Sequence, residues 1–173
     1  MQDLDILNNS YLIIGGPNTK KSEVSRYLSK KYNLKLINLD REKHSFFDDF
    51  TDFDSEKYYK LIEKYGKIKA LNYIHKYEMK HLNYVLDNIK DKVVIDFGNT
   101  YTLIDDINIL NKIKLFNNII LLTTKKINDE FDRKLVNNKI INDIKKVSIS
   151  VDNKSIESII KEIENYKNYK DIL

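Results

Sequence analysis

The chain has 173 residues, of which 42% are hydrophobic and 32% are charged, and this balance favours one folded domain and excludes a disordered protein. It contains no cysteine, which excludes a disulfide framework and a thiolate metal site. The net charge of +4 is spread over intermixed lysines and acids, the apolar runs are short and the N-terminus is polar, so we expect no nucleic-acid partner, no membrane segment and a cytoplasmic location.

Short apolar runs and amphipathic stretches alternate along the first half of the chain. Tyr11–Ile14 is a continuous apolar run before two glycines, which is typical of a buried parallel strand. Lys21–Tyr32 places its apolar residues on one helical face. Leu34–Leu39 predicts a second strand that ends at Asp40, and a polar and aromatic loop then leads to a helix that Ser55 is able to cap.

The second half continues the same alternation. A long helical pattern runs from Glu56 to Ile89, with an interruption near Gly66. The further predicted strands are Lys92–Phe97, Asn118–Thr123 and Val147–Val151, and the further predicted helices are Leu103–Leu115, Lys125–Lys145 and Ser155–Tyr166. Strands that alternate with helices predict a three-layer α/β fold, a five-stranded parallel sheet with helices on both faces. We expect a single domain over residues 1–173, and the pattern makes no prediction of oligomeric state.

The segment between the first strand and the first helix has the pattern of a phosphate-binding loop. Its residues are Gly15, Gly16, Pro17, Asn18, Thr19, Lys20, Lys21 and Ser22. Such a loop needs a strand, a tight turn with inward backbone amides and a helix N-terminus, and then a lysine for the outer phosphates and a hydroxyl for magnesium. Lys20 stands where these loops carry glycine, at a cost of about 1–2 kcal/mol that a folded domain tolerates. An ordinary glycine turn that starts a helix is the alternative.

Together with this loop, later segments resemble, in the same order, the motifs of the shikimate kinases, which are P-loop small-molecule kinases. That family has a loop GxxGxGKS, a strand ending in Asp-x-Asp, a helix with Phe-Arg-x-x-Glu, a glycine loop after a strand, and an Arg-Pro-Leu-Leu lid. The corresponding segments here are Gly15–Ser22, Asn38–Asp40, Ile74–Glu78, Asp96–Thr100 and Arg133–Val136. The resemblance implies a P-loop kinase-like fold, ATP and Mg²⁺ as cofactors, and a small-molecule acceptor bound by a helical region over 56–90 and covered by a lid region over 125–145.

The resemblance implies catalytic roles for three residues. Lys21 would hold the outer phosphates, Asp40 would bind the hydroxyl to be phosphorylated, and Arg133 would close over the nucleotide and stabilise charge that moves between phosphates. The alternatives are that Asp40 caps a helix and that Arg133 is a solvated helix residue.

The predicted magnesium ligands are Ser22 and Asp96. In the family the first acid of Asp-x-Asp assists the metal, but Asn38 occupies that position here and is neutral. Asp96 follows the apolar run Val93–Ile95 at a strand end, as a Walker-B acid does, and Mg²⁺ needs only one or two protein ligands beside waters and phosphates. Otherwise Asp96 is a strand-terminal acid that caps the next turn.

The acceptor side departs from the family pattern. His75 replaces the helix arginine, Glu78 is kept, and the glycine loop retains Gly98, which Asn99 follows. The predicted acceptor contacts are therefore Asp40, His75, Gly98 and Asn99. Because histidine does not reproduce the bidentate fork of arginine, we expect weak or no turnover of shikimate itself.

Four residues recur on one face of the long helical pattern, namely Tyr73, Tyr77, His81 and Tyr84. Their spacing predicts core packing against the sheet, or else a wall of the acceptor pocket.

Three functions fit these residues. The first is an ATP-dependent phosphotransferase that acts on a small hydroxylated metabolite. The second is a nucleoside or nucleotide kinase, because tyrosine-rich helices are able to stack a base. The third is a degenerate kinase fold used as a binding or regulatory module, which Lys20, Asn38 and His75 favour. Nucleotide affinity with and without magnesium separates the third function from the other two.

Overall fold

The structure, a computed structural model, describes residues 3–50, 52–126 and 144–170, and the side chains up to residue 167. Within these residues five strands form one parallel sheet: β1 (Tyr11–Gly15), β2 (Lys35–Asn38), β3 (Val93–Asp96), β4 (Asn118–Thr123) and β5 (Val147–Ser150). Their order is β2-β3-β1-β4-β5, which puts the glycine-rich loop after β1 near the middle of one sheet edge. Ligands of open α/β sheets bind at this carboxyl edge.

The described helices connect the strands. They are α1 (Leu4–Asn8), α2 (Lys21–Tyr32), α3 (Leu39–Phe47), α4 (Ser55–Tyr65), α5 (Lys67–Asp87), a 3₁₀ helix (Asn99–Thr102), α6 (Ile107–Ile113) and α7 (Ile156–Lys170). The predicted lid region falls mostly on residues 127–143, which lie outside the described part of the chain.

Both faces of the sheet are covered, as the apolar strands predict. In β1, Leu12 and Ile14 join the core beneath α5 and α6, while Tyr11 and Ile13 join the core beneath α2 and α7. Side chains of successive strand residues point to opposite faces, so a strand between two helical layers must be apolar throughout. The predicted three-layer arrangement is confirmed.

Three local predictions are corrected. The second strand stops at Asn38, because the Asn38 side chain accepts a hydrogen bond from the amide of Arg41 at 2.9 Å and so starts α3. Helix α4 is capped by Asp54, which accepts from the amide of Lys57 at 2.9 Å, and Ser55 is its first residue. The helix predicted over 103–115 is shorter, because the Asp106 side chain caps α6 within it.

The aromatic face of α5 packs against α3 rather than against the sheet. Tyr77 is fully buried, and its ring lies 4.9 Å from that of Phe53 and 5.9 Å from that of Phe47. His81 is also buried and contacts the hydroxyl of Tyr101 at 2.6 Å, whereas Tyr84 is 54% exposed. The region before β3 therefore has an aromatic core of its own, which the prediction of packing against the sheet missed.

Candidate active site

The loop after β1 has the geometry of an anion-binding cup. Asn18 and Lys20 adopt left-handed conformations with φ of 60° and 58°, and the Thr19 hydroxyl donates to the Gly16 carbonyl at 2.7 Å. Within the described residues, the backbone amides of Asn18, Thr19, Lys20, Lys21 and Ser22 have no hydrogen-bond acceptor. Alternation of left- and right-handed residues and the N-terminus of a 12-residue helix both direct amides towards an anion.

Space for that anion is present. A cavity of about 340 Å³ is lined by Gly16–Glu23, Arg26 and Asn99. Gly15 has no space for a side chain, because an added Cβ would lie 2.7 Å from the Leu122 carbonyl oxygen and 2.7 Å from the Thr19 hydroxyl. Gly15 therefore packs closely against β4 and Thr19, while the cavity lies open on the other side of the loop.

Lys20 keeps the backbone geometry that glycine usually supplies. Its side chain leaves the cup, and its ammonium donates to the carbonyl oxygen of Lys154 at 2.7 Å. That carbonyl belongs to the turn between β5 and α7, whose Asn153 is also left-handed with φ of 57°. The unusual residue thus ties the phosphate-binding loop to the neighbouring turn and does not obstruct the cavity.

Lys21 lies at the mouth of the cup, where its ammonium donates to the side-chain oxygen of Asn99 at 3.0 Å. Burial lowers the pKa of Lys21, and the carboxylates of Asp96 and Asp40 oppose that shift. Lys21 is half-buried and has no ion pair among the described residues, so it is suited to an anionic ligand, which would favour its charged form.

Ser22, Asp96 and Asn38 form a hydrogen-bonded group across α2, β3 and β2. The Ser22 hydroxyl and the Asn38 amide both donate to the same oxygen, Oδ2 of Asp96, at 2.7 Å each. Asp96 is 3% exposed, and this burial raises its pKa despite the Ser22 hydrogen bond. A buried carboxylate beside a hydroxyl of a phosphate-binding loop provides two suitable Mg²⁺ ligands. A cation bound there would favour the ionised form of Asp96.

Asp40 lies in the first turn of α3, over the end of β3. An added Cβ on Gly98 would lie 2.3 Å from Oδ1 of Asp40, so glycine is required there for the carboxylate to occupy this position. The charge of Asp40 also acts on Lys21 and Asp96. The structure therefore brings Asp40 and Gly98 together, beside the phosphate-binding loop.

His75 lies apart from these residues. Its Nε2 is 3.0 Å from the Asp105 carboxylate, and no contact among the described residues joins it to Asp40, Gly98 or Asn99. Asn99, predicted as an acceptor contact, accepts a hydrogen bond from Lys21, and its role towards an acceptor stays a prediction. Arg133 lies outside the described residues.

Sequence reasoning assigned no site role to three residues near Asp40, namely Lys43, Glu78 and Thr100. Lys43 donates to Oδ1 of Asp40 and to Oε1 of Glu78, at 3.1 Å each, and Thr100 donates to the same Glu78 oxygen at 2.6 Å. Glu78 carried a signal, because it is the retained acid of the helix motif. Lys43 carried none until α3 was known, since only a helix places it one turn from Asp40.

The chain has close structural matches but no sequence matches. No protein-family model matches it, and no curated protein matches it. The shikimate kinase of Aquifex aeolicus superimposes with a TM-score of 0.62 at 22% identity, over 93% of this chain and 96% of that one. The shikimate kinase of Acinetobacter baumannii, solved in complex with shikimate, has a TM-score of 0.63 at 14% identity, over 99% and 100%. The chain has a shikimate-kinase-like P-loop kinase fold.

A third match broadens the group. The YorR protein of Bacillus subtilis, solved in complex with phosphorylated GDP, superimposes with a TM-score of 0.54 at 18% identity, over 94% of this chain and 98% of that one. At such identities these likenesses show the fold alone. Among the described helices none is long and apolar enough to cross a membrane, and the described residues contain no cluster of three histidines or acids arranged to hold a metal.

Proposed function

We propose that the protein is an ATP-dependent phosphotransferase that moves the terminal phosphoryl group of ATP to a hydroxyl of a small metabolite. The observation that carries the proposal is the open amide cup of Asn18–Ser22 with Lys21 at its mouth and the Asp40 carboxylate beside it. Phosphoryl transfer requires positioning and charge neutralisation, and these groups supply both. The P-loop kinase-like fold supports the same function.

Each residue has a defined task. The loop amides and Lys21 bind the phosphates, and Ser22 and Asp96 hold Mg²⁺ while Asn38 orients the Asp96 carboxylate. When bound, Mg²⁺ neutralises phosphate charge. Asp40 binds the acceptor hydroxyl and takes its proton, so that the hydroxyl oxygen forms the new bond to phosphorus as the bond to the departing ADP breaks. Arg133 lies outside the described residues, and its role over the nucleotide stays a prediction.

Nucleotide titration tests this proposal. We expect ATP to bind in a magnesium-dependent manner in isothermal titration calorimetry, and Lys21→Ala to weaken binding by about 100-fold or more, because a partly buried charged contact to the phosphates is lost. Lys30→Ala, an exposed lysine on the same helix, is the matched control and should bind as the wild type does. Magnesium-independent ATP binding that Lys21→Ala leaves unchanged would contradict the proposal.

A second candidate is a nucleotide-binding module without turnover. The observation that favours it is the neutral Asn38, whose amide occupies an oxygen of Asp96 that also accepts from Ser22. A third candidate, a nucleoside or nucleotide kinase, draws support from the YorR match. Release of ADP in the presence of polyols, nucleosides and nucleotides decides among the three. A binding module releases none with any acceptor, and a nucleoside or nucleotide kinase releases it with the base-containing acceptors.

A further inference from the structure

A second group of polar side chains includes Asp40 and lies beside the phosphate-binding loop. Lys43 of α3 bridges Asp40 and Glu78, and Thr100 of the 3₁₀ helix donates to Glu78. We call Asp40, Lys43, Glu78 and Thr100 the acceptor cluster. Three separate elements contribute to it, so its arrangement depends on the tertiary fold and is not a chance pairing along one helix.

Hydrogen bonding in the acceptor cluster is incomplete. Glu78 is 0% exposed, and its Oε1 accepts from both Lys43 and Thr100, but among the described residues its Oε2 has no hydrogen-bond partner. A buried carboxylate oxygen without a donor costs about 1–3 kcal/mol or more, and such atoms are uncommon in folded proteins. We infer that the unpartnered Oε2 accepts a hydrogen bond from a donor that a ligand supplies.

The charge of the acceptor cluster favours a ligand group that donates a hydrogen bond over a ligand group that is negatively charged. Two carboxylates, Asp40 and Glu78, face one ammonium, Lys43. Burial acts to lower the pKa of Lys43, but both carboxylates outweigh it and raise that pKa, so the ammonium stays charged and committed to them. His75, the counterpart of the family's arginine, is engaged with Asp105.

Helix α4 lies beside the acceptor cluster. Burial raises the pKa of Tyr58 on this helix, and the charges of Lys43, Glu78 and Asp40 also act on it, so Tyr58 lies close to the acceptor cluster. None of the α4 residues is buried, in contrast to α5 behind it. The exposed part of the acceptor cluster is Asp40, whose side chain is 46% exposed.

We propose that the acceptor is a neutral polyhydroxylated molecule, whose hydroxyl groups beside the reacting one donate to Glu78 and accept from Lys43, and that carboxylic-acid acceptors are rejected. This rests on the proposed function. A hydroxyl both donates and accepts, so it matches a carboxylate next to an ammonium. An acceptor with its own carboxylate places a third negative charge in the acceptor cluster, and like charges in contact cost several kcal/mol.

Shikimate and methyl shikimate provide a matched pair of probes, because they share the ring hydroxyls and differ in one negative charge. We expect the full-length protein to have a kcat/KM for methyl shikimate at least about tenfold above that for shikimate, measured by ADP release with saturating Mg·ATP. Binding of myo-inositol and ribitol is measured by calorimetry with a non-hydrolysable ATP analogue present. At least one of these neutral polyols should bind more tightly than shikimate.

Glu78→Gln removes one negative charge and keeps the side-chain shape. We expect it to reduce the preference for methyl shikimate over shikimate by about tenfold, whereas Glu63→Gln, which changes an exposed acid on α4, should leave the preference as it is. The wild-type comparison stands without any variant, so a Glu78→Gln chain that does not fold leaves the test intact.

The outcomes separate the two proposals. Shikimate turnover equal to or above that of methyl shikimate overturns the neutral-acceptor inference and leaves the phosphotransferase standing. If the polyols bind but no acceptor tested, charged or neutral, gives ADP release, the phosphotransferase is contradicted, and the preference for a neutral ligand stands only for a binding site without turnover. If the nucleotide analogue binds but none of the three neutral probes does, the inference is wrong.

Discussion

The phosphate-binding half and the acceptor half of the site are formed by different kinds of chemical group. The first is made mainly of backbone amides at the end of β1 and the start of α2, whereas the second consists of side chains from α3, α5 and the 3₁₀ helix. Backbone amides are present whatever the side chain, so a loop of amides tolerates a substitution such as Lys20. A site of side chains changes its chemistry with every substitution.

The two halves also differ in how firmly they are held. The loop follows the central strand β1, whose residues are all buried, while α4 next to the acceptor cluster has no buried residue. Regions with few buried contacts open at low free energy. The phosphate-binding half is therefore anchored on a buried strand, whereas the acceptor half has the exposed helix α4 beside it.

Asp40→Asn is expected to have the largest effect and to affect only one half. It removes the proton acceptor for the substrate hydroxyl, and loss of a general base lowers kcat by about 100- to 10,000-fold. Nucleotide affinity should change little, because no hydrogen bond among the described residues joins the Asp40 side chain to the loop. Steady-state ADP release and calorimetry with the ATP analogue measure the two quantities on one preparation. Equal losses of both would show that the halves do not act separately.

Gly98→Ala displaces Asp40 without removing it. The new Cβ would lie 2.3–2.6 Å from the atoms of the Asp40 carboxylate, and that side chain is 46% exposed, so it is able to swing outward. We expect kcat to fall by about 10- to 100-fold, as misplacement of a reacting group by about 1 Å does, with the midpoint of urea unfolding nearly unchanged. A large loss of stability would instead mean that the backbone near Gly98 moved.

Acid should loosen the acceptor half first. His81 is 2% exposed, and burial, with a contribution from the charge of Lys43, lowers its pKa to about 4 from 6.5. The unfolded chain therefore binds the proton between pH 6.5 and pH 4 while the folded chain does not, and stability falls as the pH falls through that range. Between pH 7.5 and pH 5 the loss in unfolding free energy is about 2 kcal/mol.

The matched variant for this prediction is His81→Gln, which has no proton to gain. Its unfolding free energy, measured with urea at both pH values, should lose about 2 kcal/mol less than that of the wild type on acidification. Parallel pH profiles for the two chains would assign the acid sensitivity to other groups.

The sequence predicted the fold well, because apolar runs such as Tyr11–Ile14 have few alternatives to a buried strand. The phosphate-binding loop was predicted residue by residue, since its function resides in consecutive positions. The acceptor cluster was not, because Lys43, Glu78 and Thr100 are far apart in sequence and meet only after α3 forms. The local signals for that helix were capping residues: the sequence offered Asp40 as the cap, and the structure shows that Asn38 caps it.

Lys20 tests how much of the phosphate-binding half is backbone alone, and here we expect the smallest effect. Lys20→Gly relieves about 1–2 kcal/mol of left-handed strain but loses the hydrogen bond to Lys154, worth about 0.5–1.5 kcal/mol, so unfolding free energy should change by less than about 1 kcal/mol. Lys20→Met keeps the strain, loses the bond and should be destabilised by about 1 kcal/mol. Urea unfolding of both variants separates the free energy of the left-handed strain at residue 20 from that of the hydrogen bond to Lys154. A Lys20→Gly chain stabilised by about 2 kcal/mol would mean that the hydrogen bond to Lys154 contributes nothing to the unfolding free energy. Lys20 would then only destabilise the loop.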